Sequence, residues 1–173
     1  NGLHYNLDLV PTLAELLGSR KSPYWDGRSF APALLAQQSC GEDHLVLSQC
    51  CHGCQRSVRF EDWIYIRTCH DFYHLYPDEM LFNIKADFHE QVNLAAQRPD
   101  LCQRAADLYA QWHDRMMATM ENGAEDPLDT VLREGGPFHS RGFLAQYCER
   151  LQATGRGWAV PELQRRHPRE FMH

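Results

Sequence analysis

Residues 76–95 constrain the fold of this chain more than any other stretch. Apolar side chains recur there at every second position, at Met80, Phe82 and Ile84. This period of two predicts a β-strand with one buried face. Asp87 and Glu90 stand three residues apart, the spacing at which two carboxylates cap free backbone N–H groups. The stretch therefore predicts a strand, a polar turn and the approach to a helix.

The region around this corner predicts an antiparallel sheet followed by a long helix. Alternating patterns place strands at residues 44–49, 57–60, 63–68 and 79–84. Glu61-Asp62 is short enough to join the second and third strands as a hairpin, and short consecutive strands favour antiparallel pairing. An apolar stripe with helical period predicts a helix over residues 98–121, with Pro99 in its first turn and Asn122-Gly123 at its end.

The two ends of the chain have different patterns. A stripe of leucines predicts a helix over residues 5–17, capped by Asn6 or Asp8. A short helix is expected at residues 30–36. Residues 124–173 are rich in Gly, Pro, Arg and Glu, and they predict one helix at 143–151 in an otherwise extended tail. The whole pattern is α+β.

Composition excludes some functions. The 173 residues carry a net charge of −6, whereas nucleic-acid binding favours a basic surface. No apolar run reaches the roughly 20 residues of a membrane span. The seven cysteines are an odd number, and a chain of this size does not require disulfides. Reduced thiols favour a cytoplasmic over a periplasmic location.

Three blocks of sequence, in order, resemble the sulfatase family. They are Asp8–Leu13 followed by Gly18, Asp26–Phe30, and Leu81–Leu94. The third is similar to the sulfatase pattern Leu-(Tyr/Phe)-Asp-(Leu/Ile)-x-x-Asp-Pro-x-Glu-x-x-Asn-Leu. It departs from that pattern at Asn83, where Asp is usual, and at Phe88, where Pro is usual. Arg56–Arg59 before Trp63–Ile66 also resembles a sulfatase strand pair.

The resemblance implies a fold and a division of the chain. In sulfatases a small C-terminal subdomain, a four-stranded antiparallel sheet with a long helix, forms one wall of the substrate cleft. Residues 1–36 would then be the end of the α/β catalytic domain, and residues 37–122 the subdomain. Residues 123–173 would be a C-terminal tail with one short helix.

The resemblance also implies where the chemistry lies. Sulfatases use a Cys-x-(Pro/Ala)-x-Arg motif, whose cysteine becomes formylglycine, and a divalent cation, most often Ca²⁺. None of the seven cysteines here has that context, and in the family both features precede the matched blocks. We therefore expect no catalytic or metal-binding residue in this chain, which alone should be inactive. The resemblance implies a sulfuric ester hydrolase whose catalytic domain is the partner of this chain, and a sulfate ester as its substrate.

Several residues are candidates for facing the substrate. Four of them, His52, His70, Tyr73 and His74, fall in loops beside the predicted sheet, and loops of this kind face the cleft in sulfatases. His139 and Arg141 follow Gly135-Gly136, whose lack of side chains allows close approach of the backbone to another surface. For all six, the alternative is an ordinary solvated or structural loop residue.

Other functions fit parts of the sequence. Cys51 and Cys54 have the local spacing of a zinc site, with Cys69, His70 and His74 as further ligands, although no second CxxC pair follows. The long helix and the tail would suit a non-catalytic module for homo-oligomerisation. Phosphonate and phosphate monoester hydrolases share the sulfatase architecture, so the substrate class stays open between them.

Overall fold

The computed structural model describes residues 2–36, 39–120 and 125–171. The chain folds as two compact units. The first unit comprises Asn1–Leu45 with Arg59–Asp62, and the second comprises Val46–Val58 with Trp63–His173. The division predicted from sequence, at 36/37 and 122/123, stays a prediction, and residues 37, 122 and 123 lie outside the described part of the chain.

The first unit begins with two short helices, α1 (Leu9–Leu16) and α2 (Ala31–Ala36), close to the predicted positions. Asp8 occupies the N-cap position of α1, but its carboxylate does not cap that helix. It instead accepts hydrogen bonds from the backbone N–H of Tyr5 (2.9 Å) and Arg28 (2.7 Å). The Asp8 carboxylate thus joins the start of α1 to the loop that precedes α2.

The sheet has four antiparallel strands in the order β1-β2-β3-β4, which confirms the predicted α+β fold. The strands are β1 (His44–Gln49), β2 (Cys54–Phe60), β3 (Trp63–His70) and β4 (Glu79–Asn83). β2 and β3 are longer than the alternation predicted, and they are joined at Glu61-Asp62. In β4 both Leu81 and Phe82 are buried. A strand covered on both faces does not show the simple alternation that the sequence suggested.

β4 lies at the edge of the sheet, where its outer backbone groups need partners. Asn93 supplies two of them: its Oδ1 accepts the Leu81 N–H (3.0 Å) and its Nδ2 donates to the Glu79 carbonyl (3.1 Å). The Leu94 N–H donates to the Leu81 carbonyl at 2.8 Å. The segment after β4 thus closes this edge of the sheet.

The turn between β4 and the long helix differs from the predicted capping pair. The Asp87 carboxylate accepts the N–H of Val92 at 2.8 Å, and Glu90 has a left-handed backbone with φ of 53°. Helix α3 begins only at Pro99 and runs to Thr119. Pro99 is in the first turn, as predicted, whereas Asn122-Gly123 lie outside the described residues.

The C-terminal region is helical, and the prediction of an extended tail with a single helix is wrong. It contains α4 (Pro127–Arg133), α5 (Leu144–Ala153) and α6 (Val160–Arg166), with short 3-10 turns at residues 138–140, 157–159 and 168–171. Its core is formed by α5, α6 and Tyr73: Leu144, Cys148, Leu151, Ala159, Val160 and Leu163. Helix α5 is the helix that was predicted at residues 143–151, whereas α4 and α6, with seven residues each, are too short to show a clear helical period.

A buried ion pair attaches α4 to the sheet. The Arg56 Nη2 on β2 donates to both carboxylate oxygens of Asp126, at 2.7 and 2.8 Å. Asp126 also caps α4 by accepting the Leu128 N–H at 2.8 Å, and His113 Nε2 lies 3.2 Å from its Oδ2. Arg56 is therefore a structural ion-pair partner.

In the structure Trp112, Met116, Met117 and Met120 line an apolar cavity of about 380 Å³ beside α4. Met116 is 40% exposed and Met120 is 36% exposed. None of the helices in the described part of the chain is long and apolar enough to span a bilayer.

Candidate functional site

The loop after β3 holds its backbone in an unusual conformation. Phe72, Tyr73 and Leu75 have φ values of 50°, 66° and 56°. Left-handed backbone in a residue other than glycine costs about 1–3 kcal/mol and persists only where the surroundings enforce it. Three such residues within four positions therefore require strong anchoring.

Asp71 supplies that anchoring. Its side chain is buried and accepts hydrogen bonds from Tyr73 N (2.9 Å), Arg166 Nη1 (3.0 Å) and His167 Nε2 (2.7 Å). Burial acts to raise the pKa of Asp71. The bond and charge of His167, with the bonds from Tyr73 and Arg166, outweigh burial and lower that pKa to about 2. The carboxylate is thus ionised, and it fixes the loop against the end of α6.

The anchored loop presents Phe72 as the centre of a ring cluster. The Phe72 ring centroid lies 5.0 Å from that of His139, 5.5 Å from His74 and 6.0 Å from His52. Tyr73 stacks on it at 5.8 Å. The structure thus brings together four candidate residues from separate parts of the sequence.

His70 contacts this cluster through Tyr73, with 6.3 Å between their ring centroids. Its Nδ1 accepts the Phe72 N–H at 3.1 Å, which places the ring proton of the neutral form on Nε2. Burial, with a smaller effect of His167, lowers the pKa of His70. A neutral His70 therefore stabilises the loop by accepting the Phe72 N–H.

Gly136 and His139 attach the C-terminal region to this cluster. The Gly136 backbone has a φ of 98°, and a Cβ there would lie 2.5 Å from the His70 Nε2. Gly136 thus approaches another part of the protein closely, as predicted, and the surface that it approaches is the His70 ring. His139 Nε2 donates to the Cys51 carbonyl at 2.9 Å, which ties the loop between β1 and β2 to the same place.

An open groove of about 260 Å³ lies over the Phe72 cluster, and we call it the aromatic–histidine groove. One side is the strained loop and the other is a face of α5. Its lining residues are Phe72, Tyr73, His74, His139, Phe143, Gln146, Tyr147 and Arg150. A concave surface that combines rings with a few polar groups is typical of small-molecule sites.

Part of this groove was predicted from the sequence. His74, Tyr73 and His139 line it, and His52 and His70 contact its lining. Arg141 does not line it: its Nε donates to the Gly136 carbonyl (3.0 Å) and its Nη2 to Glu134 (2.9 Å). For all six residues, contact with a substrate stays a prediction.

Phe72, Asp71 and the face of α5 were not predicted from the sequence. Asp71 carries no local signal, because its partner His167 lies 96 residues away. The α5 face does carry one: Phe143, Gln146, Tyr147 and Arg150 follow the i, i+3, i+4, i+7 spacing of one helix side. That aromatic stripe was readable in the sequence.

The cysteine-rich loop contains a close thiol pair. Cys50 Sγ and Cys54 Sγ lie 3.2 Å apart. Burial and the neighbouring Cys50 raise the pKa of Cys54 to about 12, so its thiol is protonated at neutral pH. Across the described residues, no three His, Cys, Asp or Glu side chains converge as a metal site would require. The zinc hypothesis for Cys51 and Cys54 therefore gains no support from the geometry.

Comparison with known proteins places this fold. No protein-family model matches the chain, and no curated protein matches it. A protein from Bacteroides thetaiotaomicron VPI-5482, described as a putative sulfatase, matches 62% of this chain at 25% identity with a TM-score of 0.51. The chain has the fold of a sulfatase C-terminal region. The match covers 24% of that solved chain, so this sulfatase-like chain spans about a quarter of its length.

A second solved structure supports the fold alone. It is BT4656, bound to its substrate D-glucosamine-2-N,6-O-disulfate, and it matches 69% of this chain at 15% identity with a TM-score of 0.52. The matched part again covers 25% of the solved chain. The match to the Bacteroides thetaiotaomicron VPI-5482 protein agrees with the sulfatase resemblance that residues 81–94 suggested.

Proposed function

We propose that this chain is the C-terminal portion of a sulfatase that hydrolyses sulfate esters, and that it shapes the substrate cleft. The observation that carries the proposal is the match in fold and sequence to the Bacteroides thetaiotaomicron protein. The aromatic–histidine groove adds weight, because a strained loop on a rigid anchor is characteristic of functional surfaces.

The reactive groups of such an enzyme would come from its catalytic domain. Sulfate ester cleavage needs an activated nucleophile and a cation on the sulfuryl oxygens. This chain has no Cys-x-(Pro/Ala)-x-Arg motif, and its described side chains form no cluster that fits a cation. The formylglycine and the divalent cation, for which Ca²⁺ is expected, would therefore belong to the catalytic domain. The residues of this chain would break no bond themselves.

The first unit suggests how that domain is held. Several apolar side chains of α1 and α2 and of the residue after α1 are strongly exposed: Leu9, Val10, Leu13, Leu17, Leu34 and Leu35. An exposed apolar face of this kind marks an interaction surface. We propose that it packs on the sheet of the catalytic domain.

The expected cytoplasmic location stays a prediction.

The role of the groove residues would be binding and orientation. The Phe72 ring offers a flat apolar surface, and His74 and His139 offer ring nitrogens beside it. Groups fixed before binding lose little conformational freedom on contact with the substrate. The chain would thus act on substrate affinity and positioning.

The test compares two proteins: the product of the whole reading frame that contains this sequence, and the 173-residue chain. Each is assayed with 4-nitrophenyl sulfate, 4-nitrophenyl phosphate and a 4-nitrophenyl phosphonate ester. We expect sulfate hydrolysis by the whole product and none by the chain alone. A whole product in which Ala replaces the cysteine of the nucleophile motif is the control for contaminating activity.

The other outcomes separate the alternatives. If the whole product prefers the phosphate or phosphonate ester, it would be a phosphate or phosphonate monoester hydrolase and not a sulfatase. A reading frame without the nucleophile motif, whose product is inactive but forms a defined homo-oligomer, would support the assembly module. Turnover by the purified chain alone would overturn the assignment of the reactive groups to another domain.

A further inference from the structure

Helix α5 has two faces with different tasks. Leu144, Cys148 and Leu151 are buried in the core against α6. The other side lines the aromatic–histidine groove with Gln146, Tyr147 and Arg150 and with Phe143 at the N-cap position. Phe143 is 57% exposed. The Phe143 ring is thus available at the surface, and together with the other rings of the groove it forms a continuous apolar lining.

The charge of the groove is one-sided. Arg150 is its permanent cation, and it has no carboxylate partner in the part of the chain that the structure describes. His74 and His139 add ring nitrogens. None of the eight lining residues is Asp or Glu, although the chain as a whole has a net charge of −6. A cationic groove on an acidic protein is complementary to an anionic ligand.

The size of the groove limits that ligand. Its volume of about 260 Å³ lies below the roughly 300–1,000 Å³ of pockets for drug-sized molecules. It can hold one six-membered ring with substituents. The rings of Phe72, Phe143 and Tyr147 provide apolar surface for such a ring.

We propose that the aromatic–histidine groove binds a six-membered ring that carries an anionic substituent. The ring contacts the aromatic side chains, and the anion pairs with the Arg150 guanidinium, which can donate two parallel hydrogen bonds to a sulfate or carboxylate. This deepens the proposed function, on which it rests. In a sulfatase the groove would recognise an anionic group other than the sulfate that is removed.

The groove is prepared for binding before the ligand arrives. Asp71 holds the strained loop through Arg166 and His167, and His139 is fixed by the Cys51 carbonyl. A ligand therefore does not have to order the loop, which reduces the free-energy cost of association.

The experiment measures binding to the 173-residue chain by isothermal titration calorimetry. The probes are 4-nitrophenyl sulfate and glucose 6-sulfate as aryl and sugar forms of the ligand, glucose as the neutral ring, and inorganic sulfate as the anion without a ring. We expect at least one sulfated ring to bind about tenfold more tightly than glucose and than inorganic sulfate. The preferred probe tells an aryl from a sugar ligand.

Two variants locate the site. Arg150→Gln is expected to weaken binding of the sulfated ring about tenfold and to remove its advantage over glucose. Phe143→Ala should weaken binding of the sulfated ring without changing that of inorganic sulfate. Arg156→Gln is the matched control, because Arg156 is exposed near the end of the same helix but does not line the groove. Its affinities should equal those of the unchanged chain.

Three results would overturn this inference. The first is equal binding of glucose and glucose 6-sulfate together with no binding of 4-nitrophenyl sulfate, and the second is binding of inorganic sulfate as tight as that of the sulfated rings. The third is unchanged affinity of the Arg150→Gln chain for the sulfated rings. These results are separate from the proposed function. If a whole enzyme hydrolyses a sulfate ester that carries a second anionic group, and its KM is unchanged after Arg150→Gln, the proposed function would stand and the proposed role of the groove would not. Binding of the sulfated ring by the chain, in a whole protein without sulfatase activity, would support the groove and contradict the proposed function.

Discussion

At the scale of the residue, Asp71 determines the geometry of the candidate site. Its buried carboxylate accepts bonds from the loop that it begins and from two residues at the end of α6. A buried charge is stable only when it is paired and hydrogen-bonded, and removal of one partner leaves the others unsatisfied. Asp71 is therefore both a stabilising residue and the reason that Phe72 lies where it does.

Replacement Asp71→Asn should lower the free energy of unfolding by about 3 kcal/mol. The amide keeps the size of the side chain but loses the charge that pairs with Arg166 and His167. Urea unfolding followed by circular dichroism measures the change. Asp114→Asn is the control, because the side chain of Asp114 is 86% exposed, and it should change stability by less than about 0.5 kcal/mol. Equal effects of the two substitutions would contradict this role for Asp71.

The same residue gives the chain an acid-sensitive stability. The pKa of Asp71 is about 2 in the folded chain, against an ordinary value of 3.8. A lowered carboxyl pKa contributes stability that is fully present above that ordinary value and is lost as the pH falls towards the folded value. Unfolding free energies measured from about pH 6 down to about pH 2 should therefore converge for the unchanged chain and Asp71→Asn. Parallel curves over that range would show that Asp71 does not titrate as inferred.

At the scale of the element, a buried ion pair attaches α4 to the sheet. Arg56 and Asp126 are 13% and 7% exposed in their side chains, and the Arg56 Nε is buried without a hydrogen-bond partner among the described residues. Buried pairs of this kind contribute little net stability, yet breaking them from one side is costly.

Arg56→Leu should therefore destabilise the chain by about 3–5 kcal/mol, because it leaves the Asp126 carboxylate buried and without its main cation. The double variant Arg56→Leu with Asp126→Asn should recover part of this loss. Asn removes the stranded charge and still caps α4 through the Leu128 N–H. Urea unfolding of the two single variants and the double variant gives the coupling energy. A double variant less stable than Arg56→Leu would refute the ion-pair explanation.

At the scale of the whole molecule, the exposed leucines of the first unit predict behaviour in solution. Leu13 is 57% exposed and Leu17 is 82% exposed, so neither contributes much to the stability of this chain. The double substitution Leu13→Lys/Leu17→Lys should reduce self-association and binding of the dye ANS, with a change in unfolding free energy below about 1 kcal/mol.

Sedimentation velocity and ANS fluorescence measure those two changes. Leu163→Ala is the contrasting control: Leu163 is fully buried, and its truncation should cost about 2–5 kcal/mol without removing the exposed apolar face. A large loss of stability in the lysine variant would mean that α1 packs within this chain more than its exposure indicates.

Much of the fold was readable because its signals are local. Strand alternation around Trp63 and Leu81, the hairpin at Glu61-Asp62 and the proline at the start of α3 each depend on neighbours within a few residues. Helices α4 and α6 were missed because each has only about two turns, which is too short a window for a helical period. Their stability comes from the core around Leu144 and Leu163.

The sequence alone determined the α+β architecture, the antiparallel sheet and the sulfatase resemblance, since period, turn chemistry and motif spacing are properties of the chain itself. Only the tertiary structure decided which of the candidate residues meet. Asp71 finds its partner 96 residues later, and Arg56 finds its own 70 residues later. Contacts over such distances depend on how the elements pack, and no local pattern encodes them. Packing of this kind also places Phe72, which belongs to no sequence motif, at the centre of the ring cluster.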